Sequence, residues 1–235
     1  MAEMKKISII IPTLNEAINL PLLIADLNLY PYEFELIIID CGSSDLTKLI
    51  AQIGGAKIIK TKKANRGYQL YKGALNAEGE WFLFLHSDSR MNKKWPEKIQ
   101  TLITNKSTKE YCWFFDFKIN KKGIIWSLME ILIAIRSHVF HRPYGDQGLL
   151  INKELYFQVG GHKKIHIMED LDLIIRLSKK TKIKGIGIEL TTSSRKYISS
   201  NIISNSIKNA FLRYRWRQGE SIKELAEEYY SKKIN

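Results

Sequence analysis

Four strand-like stretches of this 235-residue chain end in or beside acids. Asn15 and Glu16 follow the first, Asp40 closes the second, Asp88 stands just past a third, and Glu169 with Asp170 form a later pair. The chain is otherwise basic, with 37 lysines and arginines against 24 acids and a formal net charge of +13. A basic protein that gathers carboxylates at its strand ends needs a partner compatible with both. A nucleoside diphosphate carrying a divalent ion meets that need, because the ion bridges phosphate oxygens to one or two protein carboxylates. Glu16 and Asp40, acceptor-only when ionised, suit the N–H of a base or the hydroxyls of a ribose.

The acids act together only if the fold brings them together. Residues 7–11 form a continuous apolar run closed by Pro12, and residues 36–39 another closed by Asp40, Cys41 and Gly42, as buried strands do. Between them, residues 17–29 carry Leu20, Leu23, Ile24 and Leu27 at helical spacing, with Asn15 and Glu16 as a polar start. The pattern repeats as a helix over 45–53, a strand over 56–60, a helix over 67–77 and an aromatic strand over 81–85. Such alternation predicts an α/β fold, a mostly parallel sheet flanked by helices, with its ligand crevice at the carboxyl ends of the strands. Further on, the sequence predicts a mixed segment over 111–119, an apolar stretch over 124–135 and a strand near 148–151. A helix after Asp170, two short strands around 183–191 and closing helices over 201–217 and 221–230 complete the reading.

No linker rich in Pro, Gly or Ser divides the chain, so one domain over 1–235 is expected, its terminal helices at about 201–230. Composition is that of a globular protein, with 45% hydrophobic and 26% charged residues. The two cysteines, Cys41 and Cys112, show no CxxC or zinc spacing and fit a reducing compartment. The N-terminal residues MAEMKK run directly into a strand-like segment, and a cytoplasmic location is expected.

Several segments recur in a recognisable order: SIIIPTLNEA at 8–17, IDCGSSD at 39–45, ANRG at 64–67 and FLHSDS at 84–89. YGDQG at 144–148, Gly160-Gly161, and Met168-Glu169-Asp170 with Asp172 and Arg176 follow. Together they resemble the inverting family 2 glycosyltransferases of GT-A fold, in particular a short, single-domain bacterial subset (the rSAM/selenodomain-associated transferase 2 type). The resemblance implies a nucleotide-diphosphate sugar donor bound by Pro12, Thr13, Asn15, Glu16, Asp40, Gly42, Ser43, Arg66, Gly67, Ser87, Asp88 and, most loosely, Arg195. It puts Gly145, Asp146, Gln147, Gly160 and Gly161 on the acceptor side. Asp88, with His86, takes the place of the family's metal motif, for Mg²⁺ or Mn²⁺. His86 departs from that motif, whose first position is an acid, and an imidazole ligand tilts the choice toward manganese. The resemblance also gives the acidic pair the role of general base, Asp170 ahead of Glu169.

Two stretches suit a membrane surface. Residues 124–140 are apolar around most of a helix, though shorter and more charged than a spanning segment requires. Residues 201–217 pair Ile203, Ile207, Ala210, Phe211 and Tyr214 with Lys208, Arg213, Arg215 and Arg217. Core packing or a homodimer explains both stretches as well. Membrane contact implies a place at the inner membrane face and leaves room for a lipid-linked acceptor; the acceptor itself stays unidentified. A sugar-nucleotide nucleotidyltransferase is the rival enzyme, disfavoured because the loop from Pro12 to Glu16 lacks glycine, and a dehydrogenase is disfavoured for the same reason. A basic nucleic-acid-binding module would use the charge but gives no reason for acids at strand ends, so nucleic acid is not an expected partner.

Overall fold

The computed structural model describes residues 7–62, 65–194 and 202–231. Its strands are β1 (Ile7–Thr13), β2 (Glu35–Asp40), β3 (Lys57–Lys60), β4 (Trp81–Phe84), β5 (Ser89–Met91), β6 (Cys112–Ile119), β7 (Leu149–Asn152) and β8 (Ile183–Thr192). The helices are α1 (Leu20–Leu27), α2 (Thr47–Ile53), α3 (Arg66–Leu75), α4 (Trp95–Thr104), α5 (Ile124–Ala134), α6 (Lys153–Gln158), α7 (Glu169–Ser178), α8 (Ile202–Arg217) and α9 (Ile222–Ser231).

The eight strands form one sheet in the order β3-β2-β1-β4-β7-β6-β8-β5. β1 lies parallel to β2 and β4, β2 to β3, and β6 to β8. β7 runs antiparallel between β4 and β6, and β5 antiparallel along β8. From β1 the chain moves outward to β2 and β3, then crosses to the other side of β1 as β4. That reversal opens a crevice at the carboxyl ends of β1 and β4, the position where open α/β sheets bind ligands. Every residue of β2 and β4 is buried, because both sheet faces are covered. Leu20, Leu23, Leu27, Trp95 and Ile99 pack on one face, and Leu70, Ala74, Tyr156, Leu173 and Leu177 on the other. Each of the leucine and isoleucine side chains among them contributes about 1.5–3 kcal/mol by leaving water.

The strands and helices of the first half stand close to where periodicity predicts them. The first helix is shorter: it begins at Leu20, after a loop and a turn in which Glu16 O accepts the amides of Asn19 (3.1 Å) and Leu20 (2.9 Å). The two strands expected around 183–191 are one ten-residue strand. Gly185 and Gly187 interrupt its apolar pattern, but the chain absorbs them as a register shift against Phe114 and Asp116 rather than as a turn. β5, α4 and α6 were not anticipated. α4 buries Trp95, Ile99 and Ile103 at helical spacing, whereas α6 and β5 are too short for periodicity to show.

α5 buries none of its residues and continues as a π-helical turn, Ile135–Val139. Among the described residues no helix is long and apolar enough to cross a membrane.

Candidate active site

Two loops meet at the ends of β1 and β2. Asn15, in a left-handed conformation (φ 55°), donates its amide to Ser43 Oγ (2.9 Å) and accepts the Ser44 amide on Oδ1 (2.9 Å). The Glu16 amide donates to Thr47 Oγ1 (2.8 Å) and the Ala17 amide to Asp45 Oδ2 (3.1 Å). Hydrogen bonds from the Thr47 hydroxyl and amide hold the Asp45 carboxyl below its ordinary range. Glu16 Oε2 accepts from Asn19 Nδ2 at 2.7 Å.

Asp40 is buried, and its carboxylate is turned into the protein. Oδ1 accepts the amides of Gly42 and Ser43, both at 3.0 Å, and Oδ2 accepts the hydroxyls of Ser43 and of Thr13 (3.3 Å). A carboxylate offers about four acceptor positions, and the protein fills them. Gly42 holds φ +80° to make this turn, a conformation costly for any residue with a Cβ. Behind it, buried Gln69 of α3 donates from Nε2 to Ile39 O at 2.7 Å, and Thr13 O lies 3.4 Å away. Gln69 was not among the expected site residues; its signal was an amide on the core-facing side of a helix.

Across the crevice, Arg66 opens α3 and reaches the start of α7. Its Nε donates to Glu169 Oε1, and NH2 lies 4.0 Å from Asp170 Oδ2. NH1 stands 3.4 Å from His86 Nε2. Gly67 makes the approach possible, since a Cβ there would lie 2.1 Å from Lys163 O and 3.0 Å from the Glu169 Cβ. The two acids differ in surroundings. The Glu169 side chain is 1% exposed and that of Asp170 21%. Burial raises the Glu169 carboxyl above its ordinary range, Arg66 opposing and Asp170 reinforcing the rise. Asp170 accepts the Leu171 amide on Oδ1 (2.7 Å) and the Gly145 amide on Oδ2 (2.8 Å). A cavity of about 300 Å³ opens here, lined among others by Arg66, Tyr144, Asp170, Arg213 and Tyr229.

The α7 start is fixed from behind. Met168 takes a left-handed φ of 64° before the helix, and Asp172 is gripped by Lys163 (2.9 Å) and by Arg176 (2.6 and 2.8 Å). Arg176 NH2 also donates to Gly161 O at 2.7 Å. Gly161 thus ties this loop to α7 through its carbonyl, with Gly160 beside it. Buried His162 lies 3.0 Å from the Tyr156 hydroxyl through Nδ1, and burial pushes its pKa down to about 3.

Ser87 and Asp88 lie in the turn after β4, where the Ser89 amide donates to His86 O at 3.2 Å; Asp88 is 4% exposed. Gly145 faces His86 and Asp170, and Asp146 follows it. Gln147 is turned inward, accepting from Arg136 NH2 (2.8 Å) and Ser137 Oγ (2.7 Å) and donating to Phe115 O (3.2 Å). Pro12 closes β1 beside Thr13. Arg195 lies outside the described residues. The structure thus brings Arg66, His86, Gly145, Glu169 and Asp170 together, with the Asn15–Ser43 loops at the other end of the crevice.

A model of Glycosyl transferase family 2 matches residues 8–164, more than half of the chain. The chain belongs to this family. A 4,4'-diaponeurosporenoate glycosyltransferase of Staphylococcus haemolyticus (strain JCSC1435) is 29% identical over 193 residues, which cover 72% of this chain and 50% of the relative. Among solved structures, S. aureus TarS 1-349 in complex with UDP-GlcNAc shares the fold at a TM-score of 0.66 and 18% identity, over 80% of this chain and 58% of that one. The mannosyltransferase PcManGT from Pyrobaculum calidifontis, in complex with GDP-Man and Mn2+, does so at 0.63 and 13%, over 81% and 57%. Glucosyl-3-phosphoglycerate synthase from Mycobacterium tuberculosis, with Mn2+ and UDP, does so at 0.53 and 20%, over 78% and 71%. The chain thus spans about half the length of its curated relative. The α/β fold is the one that the family resemblance implies.

Proposed function

We propose that this family 2 member transfers a sugar from a nucleotide-diphosphate donor to an acceptor hydroxyl with inversion, Asp170 acting as general base. The observation that carries the reading is the division of labour in the acidic pair. Both acids line the cavity, but Glu169, 1% exposed, is buried on Arg66, while Asp170, 21% exposed and held by two backbone amides, is the more open of the two. In the transfer, the acceptor oxygen attacks the anomeric carbon as the bond from that carbon to the diphosphate oxygen breaks. The acceptor proton passes to an Asp170 oxygen, and the bonding electrons leave with the diphosphate. A base so placed contributes about a hundred- to ten-thousand-fold. Arg66, charged and aimed into the same crevice, stabilises the departing negative charge.

The nucleoside belongs at the ends of β1 and β2, against Glu16 and the loop that Asp40 holds in shape. UDP-GlcNAc and GDP-Man in the structural relatives support the donor class. Mn2+ in two of them supports a divalent ion. Among the described residues no three His, Cys, Asp or Glu side chains converge to hold an ion. A magnesium-type site needs only one or two carboxylates when phosphates supply the rest, and the carboxylate of Asp88, in the turn after β4, fits that requirement. His86 fits less well, because its Nε2 faces the Arg66 guanidinium. Bound Mg²⁺ or Mn²⁺ would neutralise charge on the diphosphate.

We also place the working enzyme against the inner face of a membrane. Ile124, Ile125, Leu128, Ile131, Leu132, Val139 and Phe140 are all exposed, Ile124 at 88%, and basic residues flank them, a composition suited to an anionic interface.

A thermal-shift screen of UDP-, GDP- and dTDP-sugars, with and without Mn²⁺ or Mg²⁺, tests the donor class. A ligand bound only by the native state raises the midpoint. One nucleotide sugar should do so only with the ion. No response to any nucleotide sugar, together with salt-sensitive binding of RNA or DNA, would overturn the reading.

A further inference from the structure

Eight of the nine arginines lie among the described residues. Arg66, Arg90, Arg176 and Arg215 each pair with a carboxylate. The other four, Arg136, Arg142, Arg213 and Arg217, have no carboxylate partner among the described residues, and all four line one cavity of about 360 Å³ with Tyr144, Phe140, Ala210 and Tyr214. The Tyr144 ring sits between two of them, 3.5 Å from the Arg136 guanidinium carbon and 5.2 Å from that of Arg213. Arg136 is positioned by Gln147 Oε1 at 2.8 Å, and its Nε is buried without a hydrogen-bond partner among the described residues. Burial lowers the Arg213 pKa, with Tyr144 and Asp170 opposing the fall and Arg136 and Arg217 reinforcing it. Four like charges so gathered repel one another unless an anion joins them. Planar guanidiniums match phosphate and carboxylate oxygens in paired hydrogen bonds.

Tyr144 and Arg213 also line the cavity that contains Asp170, so the two spaces adjoin. We infer that the arginine cavity is an acceptor subsite: it binds a phosphate or carboxylate on the acceptor and so presents the acceptor's hydroxyl to Asp170. This rests on the reading of Asp170 as base in glycosyl transfer. The anion can belong to a soluble molecule or to an amphiphile whose chain lies over Phe140 and Tyr214; the chemistry at the arginines is the same.

The test is calorimetric binding, without donor, of glycerol 1-phosphate, monododecyl phosphate, laurate and the neutral dodecyl maltoside. The full chain is compared with Arg142→Gln, Arg217→Gln and a surface control, Lys180→Gln, from a basic region elsewhere. Arg142 and Arg217 carry no side-chain bond that holds the fold among the described residues, and retained thermal midpoints would confirm that the variants are folded. At least one anion should bind, with the affinity falling about tenfold in each arginine variant and unchanged in the control. Binding of glycerol 1-phosphate marks a soluble source, and binding of the dodecyl anions alone marks an amphiphile; each supports the proposal. It is overturned if no anion binds, if the neutral amphiphile binds as well as the anions, or if the arginine variants bind as the full chain does. A failure here beside a metal-dependent donor response in the thermal screen would sink this subsite and leave the transfer reading standing.

Discussion

Gly145 donates its backbone amide to Asp170 Oδ2 at 2.8 Å, and a Cβ at Gly145 would stand 2.9 Å from His86 Nε2 and 3.2 Å from that same oxygen. The turn before β7 and the first turn of α7 thus close on each other in a space that leaves no room for a side chain at residue 145 unless the imidazole or the carboxylate shifts. In Gly145→Ala the carboxylate or the imidazole must give way. Transfer should fall about tenfold to a hundredfold while donor affinity is kept, since a displaced base affects the reaction more than binding. Steady-state kinetics check this, and an unchanged turnover number would detach Gly145 from the positioning of Asp170.

Gly67 carries a stronger constraint, because a Cβ there meets Lys163 O, a backbone atom, at 2.1 Å. Gly67→Ala must push residues 163–165 off α3 and should cost about 1–3 kcal/mol or more. Urea denaturation checks the loss. A midpoint equal to that of the unaltered protein would show that the loop moves freely.

The pH dependence of stability has a sign. His162 has its pKa lowered to about 3 by burial, so between that value and about 6.5 the unfolded chain binds a proton that the native one does not. Its contribution is complete above about pH 6.5 and is lost as pH falls toward 3, at up to ~1.4 kcal/mol per unit. Glu169, raised by burial, works the other way above the ordinary carboxyl range, which makes a comparison with His162→Gln necessary. Between pH 7 and 5 the unfolding free energy of the unaltered protein should fall more steeply than that of the variant. Parallel curves would rule out His162 as the source.

How much of this was legible in the sequence depends on what each residue touches. β1, β2 and β4 announce themselves as apolar runs because both sheet faces are covered, and the acids after them mark the crevice. β8 reads as two strands because Gly185 and Gly187 break its pattern without breaking its hydrogen bonds. Asp40, Asp45, Glu169 and Asp170 look alike as letters and differ through partners distant in sequence. Thr13 and Ser43 enclose Asp40, and Arg66, 103 residues away, draws Glu169 inward. The roles of Gln69 and His162 depend on burial, which their residue types do not disclose.

Asp88→Ala should abolish the dependence of donor binding on the ion while leaving the thermal midpoint of the free protein within a few degrees. The ion would then lose the carboxylate proposed to tie it to the protein. Calorimetric titration of the donor found in the screen, with and without Mn²⁺, measures this. Equal metal-dependent affinity in the variant and the unaltered protein would remove Asp88 from the site.

Asp170 as the base is tested most directly by measuring transfer by Asp170→Asn and Glu169→Gln. Sugar moved from the identified donor to an accepted hydroxyl is measured for both variants beside donor affinity. Asp170→Asn should keep its donor affinity and lose about a hundred- to ten-thousand-fold in turnover. Glu169→Gln, which frees Arg66, should lose stability first. Near-normal transfer by Asp170→Asn with a collapse in a folded Glu169→Gln would move the base to Glu169, and normal transfer by both would contradict the account.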